Sequence, residues 1–171
     1  MKKSKLTAVL FMTFLGVALT SVAVAQDQAT PQEVVAKVRE AAAVLSKTGD
    51  LAQFNQTQGP WHWKKDSYIF IQDCDKMIIA AHPIKPELIG QNFMTMKDSK
   101  GNLLFVKDYC EEARKPAGIW SAFWWPKPGD KESSRKLTYS LGAKGTPYVV
   151  VSGIYNDDVN VAELSRLTGD K

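Results

Sequence analysis

The sequence predicts an α+β domain built on a mostly antiparallel sheet, and three observations carry that prediction. Apolar residues recur at three- and four-residue steps through 31–45, as on one face of a helix. Two runs rich in β-formers, 68–71 and 77–81, flank a short polar turn. Three more runs, 119–125, 136–141 and 148–154, follow with only polar loops between them. Runs of strands separated by helices indicate an α+β architecture.

A chain of 171 residues is one domain's worth. Apolar residues make up 44% and charged residues 23%, which excludes disordered and low-complexity classes. The formal charge of +4 is concentrated at the start. Lys2, Lys3 and Lys5 precede any acid, and without residues 1–25 the count is 19 basic against 18 acidic. That nearly neutral remainder gives no electrostatic reason to expect a nucleic-acid partner.

Those three lysines open a targeting segment. Residues 6–24 are uncharged, and the stretch closes on Ala23-Val24-Ala25 before Gln26. A positive start, an apolar stretch and a small-residue site make a secretory signal peptide, with cleavage expected after Ala25. An uncleaved anchor helix is the alternative, since about 17 apolar residues can just span a bilayer. The mature domain, 26–171, is expected to be soluble and either periplasmic or secreted. Export puts Cys74 and Cys110 in an oxidising compartment, where an even count favours one disulfide over two separate buried thiols.

Each element has its own signal. Thr30 caps the first helix, Pro31 suits its first position and Glu33 completes a capping box. Val34, Val35, Val38, Ala41, Ala42 and Leu45 form its apolar face, and Gly49 ends it. Gln58-Gly59-Pro60 breaks the chain, and Trp61-His62-Trp63 reads as loop. The hairpin of 68–71 and 77–81 turns at 73–76, and its strands are apolar on both faces, so both faces of the sheet should be covered. His82-Pro83 ends the second strand, and a long connection spans 84–100. Residues 102–115 read as a helix with Leu103, Val106, Cys110 and Ala113 on one face, which points Cys110 at the sheet bearing Cys74. After the last three strands, Asp157 or Asp158 caps a final helix with Val159, Val161, Leu164 and Leu167 on its apolar face.

Taken in order, these segments resemble a single Cache domain, the extracytoplasmic relative of PAS domains, over residues 31–167. The matching residues are Tyr68-Ile69-Phe70-Ile71-Gln72-Asp73, Ile79-Ala80-Ala81-His82-Pro83, Leu88-Ile89-Gly90-Gln91-Asn92, Lys97-Asp98 with Lys100-Gly101, then Gly118, Trp120, Phe123, Trp125-Pro126-Lys127-Pro128, residues 136–139, and Gly153-Ile154-Tyr155. The resemblance implies a PAS-like five-stranded antiparallel sheet with a long N-terminal helix and a C-terminal helix. It also implies a pocket that binds a small organic ligand, often a short carboxylate, without converting it. Such domains usually stand outside the membrane on a chemoreceptor or sensor kinase, so a membrane receptor or kinase is the expected partner. The chain departs from the family in showing no convincing second anchor and no output domain. It also has Asp73-Cys74-Asp75-Lys76 where Asp-x-x-Gly is typical.

A ligand pocket needs apolar walls and a few aimed polar groups. Phe123 and Trp125 lie two apart on a strand and share one face; on the resemblance that face lines the pocket, with core packing the competing role. Trp120 and Trp124 point the other way. Lys136 is the expected cation for a carboxylate, and Tyr139 adds a hydroxyl on an apolar body. Residues three apart on a flat strand face opposite ways, so either a bulge intervenes or Arg135 supplies the charge. His82 offers one donor and one acceptor nitrogen, or instead holds the loop that follows it. Tyr155 and Trp61 are expected to close the pocket.

Catalysis, a cofactor and a resident metal are not expected. His62 and His82 are the only histidines, and no hydrolase, zinc-protease, Walker or haem-attachment motif occurs. Asp73 and Asp75 fall short of the six or more oxygens calcium takes and suit a turn instead. The competing function is a structural or protein-interaction module of the cell envelope, its hollow filled by side chains. A void no larger than a few waters would favour that module.

Overall fold

A computed structural model of the chain describes residues 28–168. The expected signal peptide and its cleavage site lie outside the described residues. Among the described residues no helix is long and apolar enough to cross a membrane.

Helix α1 runs over Pro31–Thr48 with its caps as the sequence reads. The Thr30 hydroxyl accepts the Glu33 N–H, the Glu33 carboxylate accepts the Thr30 N–H, and Gly49 closes the helix in the left-handed region. Its apolar stripe is buried, with Val34, Val38, Ala41 and Leu45 fully so.

A five-stranded antiparallel sheet forms the centre, from β3 (Phe70–Asp73), β4 (Ile78–Ala81), β5 (Ile119–Pro126), β6 (Ser133–Gly142) and β7 (Tyr148–Tyr155). Ahead of it, β1 (His62–Lys64) and β2 (Ser67–Tyr68) make a small hairpin. The sheet order is β4-β3-β7-β6-β5, with every pair antiparallel. Helix α1 packs on β6 and β7. Two apolar layers result: one between α1 and the sheet, the other between the opposite face and the chain of residues 84–113. Both faces are covered, as the hairpin strands predict.

Cys74 at the end of β3 and Cys110 on α2 (Tyr109–Ala113) form the expected disulfide, their Cα atoms 5.9 Å apart. The fold is α+β as read from the sequence, with three local corrections.

The helix expected over 102–115 is only the five residues of α2. Asp98 explains the loss: its Oδ1 accepts the N–H groups of Lys100 and Asn102, both at 2.9 Å, and Gly101 takes a left-handed φ of 83°. That knot sets Lys97 against Leu103 as an isolated bridge and keeps the following stretch irregular. Consequently Leu103 and Val106 are 56% and 64% exposed, whereas Leu104 and Phe105 turn inward.

Trp61-His62-Trp63 is not all loop, because His62–Lys64 pairs with β2. The last helix, α3 (Val161–Leu167), is capped by Asn160, whose side chain accepts the Ala162 N–H, rather than by Asp157 or Asp158. Leu164 is buried on it while Leu167 is half exposed.

Candidate functional site

Pairing fixes which side chains meet. Phe123 on β5 is opposite Lys136 on β6, which is opposite Tyr155 on β7. Strand alternation puts Trp125 and Phe70 on the same face as this row. The face is the one turned away from α1.

Lys136 is the unusual residue. It is 2% exposed, and its ammonium donates to the Tyr68 hydroxyl at 3.0 Å. The same group lies 4.2 Å from the Tyr68 ring centroid, 5.3 Å from that of Tyr155 and 5.7 Å from that of Phe70. Among the described residues it has no salt bridge to a carboxylate. Aromatic faces attract a desolvated cation, but they supply no countercharge. A buried charge normally has an ionic partner.

His82 stands beside it at the end of β4. Its Nδ1 accepts the backbone N–H groups of Ile84 and Lys85, at 3.2 and 3.0 Å. That acceptor role places the ring proton on Nε2. Burial, reinforced by the positive charges of Lys136 and Lys85, pushes the imidazole down to about 3, so the ring is neutral. It stacks on Phe70 at 5.3 Å and packs on Tyr68 at 5.2 Å. Thus His82 both holds its loop and lines the hollow.

Lys136, His82, Tyr68, Phe70, Phe123 and Trp125 surround a cavity whose remaining walls are Ile79, Leu88, Met96, Leu104 and Phe105. Among the described residues that line it, Lys136 carries the only charge. The space open to a water centre is about 20 Å³, room for one or two waters. As it stands, the hollow meets the size criterion set for a filled pocket.

Four of the expected site residues therefore come together: Lys136, His82, Phe123 and Trp125. Tyr155 flanks Lys136 behind the wall. Its hydroxyl donates to the Pro126 carbonyl at 2.8 Å, and burial holds the phenol in its protonated form.

Tyr139 and Trp61 belong elsewhere. No bulge intervenes in β6, so Tyr139 faces α1, packs on Trp120 at 5.3 Å and donates to the Ala117 carbonyl at 2.7 Å. Trp61 packs at a tilt on Phe54, ring centroids 5.1 Å apart, in that same layer and donates to Gln53. Arg135 is not the alternative cation either, since its guanidinium donates to the carbonyls of Asn156 and Val159. Among the lining residues, Tyr68 and Phe70 were missed although their i, i+2 spacing was visible. Leu104 and Phe105 were hidden by the helical reading of their stretch.

A five-stranded antiparallel sheet with a long helix packed across one face is a PAS-like fold. The chain belongs to the family Single Cache domain 2, whose profile matches residues 2–167. It is 31% identical over 131 residues to the methyl-accepting chemotaxis protein McpP of Pseudomonas putida, covering 77% of this chain and 24% of that one. To the sensor histidine kinase MctS of Rhizobium johnstonii it is 26% identical, over 93% of this chain and 30% of that one. The chain thus spans a quarter to a third of the curated relatives it matches.

Two solved structures share the fold. One is a periplasmic sensor domain of a chemotaxis protein, with a TM-score of 0.54 at 22% identity, covering 74% of this chain and 90% of that one. The other was solved as the structural basis for carboxylic acid recognition by a Cache chemosensory domain, with a TM-score of 0.52 at 23% identity, covering 74% and 86%.

Proposed function

We propose that this domain is an exported, non-catalytic sensor that binds a short organic monoanion, a carboxylate with an apolar tail. Residues 1–25 would direct export, and a membrane receptor or kinase would read the occupancy. The observation that carries the proposal is Lys136: a buried ammonium with phenol and aromatic neighbours and no acid in salt-bridge range among the described residues. An anionic guest supplies the missing charge. The single cation favours one carboxylate over two. The apolar walls take a hydrocarbon tail, and neutral His82, with its proton on Nε2, adds a donor without a second charge. The carboxylic-acid-recognising Cache domain of the same fold is consistent with this ligand class.

Entry requires side chains to move, because the present void holds no organic acid. The walls most able to move, Leu88, Met96, Leu104 and Phe105, lie on connections rather than on the sheet. The size of the void favours a second reading, a structural or interaction module with a permanently filled hollow. Titration calorimetry separates the two. Saturable heat with a short carboxylate supports the sensor; no heat and no melting shift with any of them supports the filled module.

A further inference from the structure

We propose that Thr138 forms a second, uncharged compartment of the ligand site that takes the hydroxyl or carbonyl end of a short acid whose carboxylate rests on Lys136. This rests on the carboxylate reading of the cavity and adds the polar half of the ligand.

Thr138 and Gln72 are fully buried. Among the described residues, Thr138 Oγ1 and Gln72 Nε2 have no hydrogen-bond partner. Buried polar groups are nearly always paired, and an orphan marks a place for a water or a guest. The Gln72 amide oxygen is satisfied, accepting the Tyr109 hydroxyl at 2.6 Å, which leaves the amide nitrogen as the open end.

Strand geometry puts Thr138 next to the cavity, with Gln72 on the same face but two strands away and four residues further along the sheet. Thr138 lies two residues beyond Lys136 on β6, and Gln72 lies two beyond Phe70 on β3. Both therefore face the same side as those cavity walls. Phe105 roofs this part of the sheet. It lines the cavity, contacts Phe123 at 5.7 Å on one side, and contacts Tyr109, the partner of Gln72, at 4.4 Å on the other. It sits on the irregular stretch between Lys97 and α2, outside any helix or strand. A guest too large for the hollow displaces a wall, and displacing Phe105 opens the hollow onto Thr138.

Two residues along a strand span about 7 Å. A hydroxyl three or four carbons from a carboxylate bridges a comparable gap, so a 4-hydroxy acid fits better than its plain alkyl counterpart.

The experiment titrates butyrate and 4-hydroxybutyrate calorimetrically into the wild-type domain and into Thr138→Val, which keeps the branched shape and removes the hydroxyl. The wild type should bind 4-hydroxybutyrate about tenfold more tightly than butyrate. Thr138→Val should lose that preference, keep its butyrate affinity, and melt no lower than wild type without ligand. Equal affinities in the wild type, a preference that survives Thr138→Val, or a lower melting temperature for the empty variant would each overturn the polar compartment. Butyrate bound without preference removes this compartment alone. No binding of either acid removes the carboxylate reading with it.

Discussion

Lys136 holds a charge where charge is costly. Replacing a buried unpaired ion by an apolar side chain of similar length removes a desolvation penalty and is often neutral or stabilising. Lys136→Met should therefore leave the melting temperature of the empty domain unchanged or raised, as read by differential scanning fluorimetry. Carboxylate affinity should fall more than tenfold, given about 1.5–3 kcal/mol for a hydrogen bond to a charged group. A purely structural lysine would show the reverse, with lost stability and no effect on ligand.

His82 makes a second residue-scale prediction. Its folded-state value near 3 lies below the ordinary 6.5, so the unfolded chain takes up a proton first as pH falls. The stability this residue contributes is complete above about pH 6.5 and is lost progressively from there towards 3. The slope approaches about 1.4 kcal/mol per pH unit, one proton's worth. NMR of the ring nitrogens should show one Nε2–H tautomer that does not titrate between pH 8 and 4.5. A midpoint near 6.5 would contradict the burial argument.

At the scale of elements, local signals were the legible ones. The Thr30–Glu33 box and the apolar stripe of α1 act over three or four residues, and the alternation of β5 to β7 acts over two. Sequence reading recovers all of these. Parity put Phe123 and Trp125 on one face, the need for a cation named Lys136, and parity then flagged the conflict with Tyr139 that the regular β6 register resolves against Tyr139. What stayed hidden was set by less regular contacts. The stretch before α2 has helical spacing, but the Asp98 side chain ties its backbone into a turn, and the bond to Cys74 anchors its far end. Tyr68 was visible as a β-former, yet its phenol meets Lys136 68 residues away.

The disulfide follows from the same view. Ile79, His82, Leu88, Met96, Leu104 and Phe105 all lie between Cys74 and Cys110, so the bridge closes a loop that carries six cavity walls. Chain entropy assigns such a loop about 4 kcal/mol of stabilisation. The double variant Cys74→Ser/Cys110→Ser should lose stability of that order in urea unfolding, and bind ligand more weakly because its walls are less restrained. Gly118 is a second pressure point. Its φ is +66°, and a Cβ there would collide with the Ser140 carbonyl and press on the Tyr139 ring. Gly118→Ala should accordingly be strongly destabilising in the same assay.

For the molecule as a whole, one sheet separates two unlike layers. The α1 side is a filled core, where Leu45, Leu137, Tyr139 and Val150 are fully buried. The other side holds Lys136 in its aromatic surround, closed by connections instead of a long helix. On the proposed sensor reading, this division lets one face keep the fold while the other admits a guest. The most direct test titrates a panel of short carboxylates into the purified wild-type domain and into Lys136→Met, with folding of both verified by melting. The account predicts saturable one-site heat with at least one acid in the wild type, weakened more than tenfold in the variant. A folded wild type that gives neither heat nor a melting shift with any acid would contradict it.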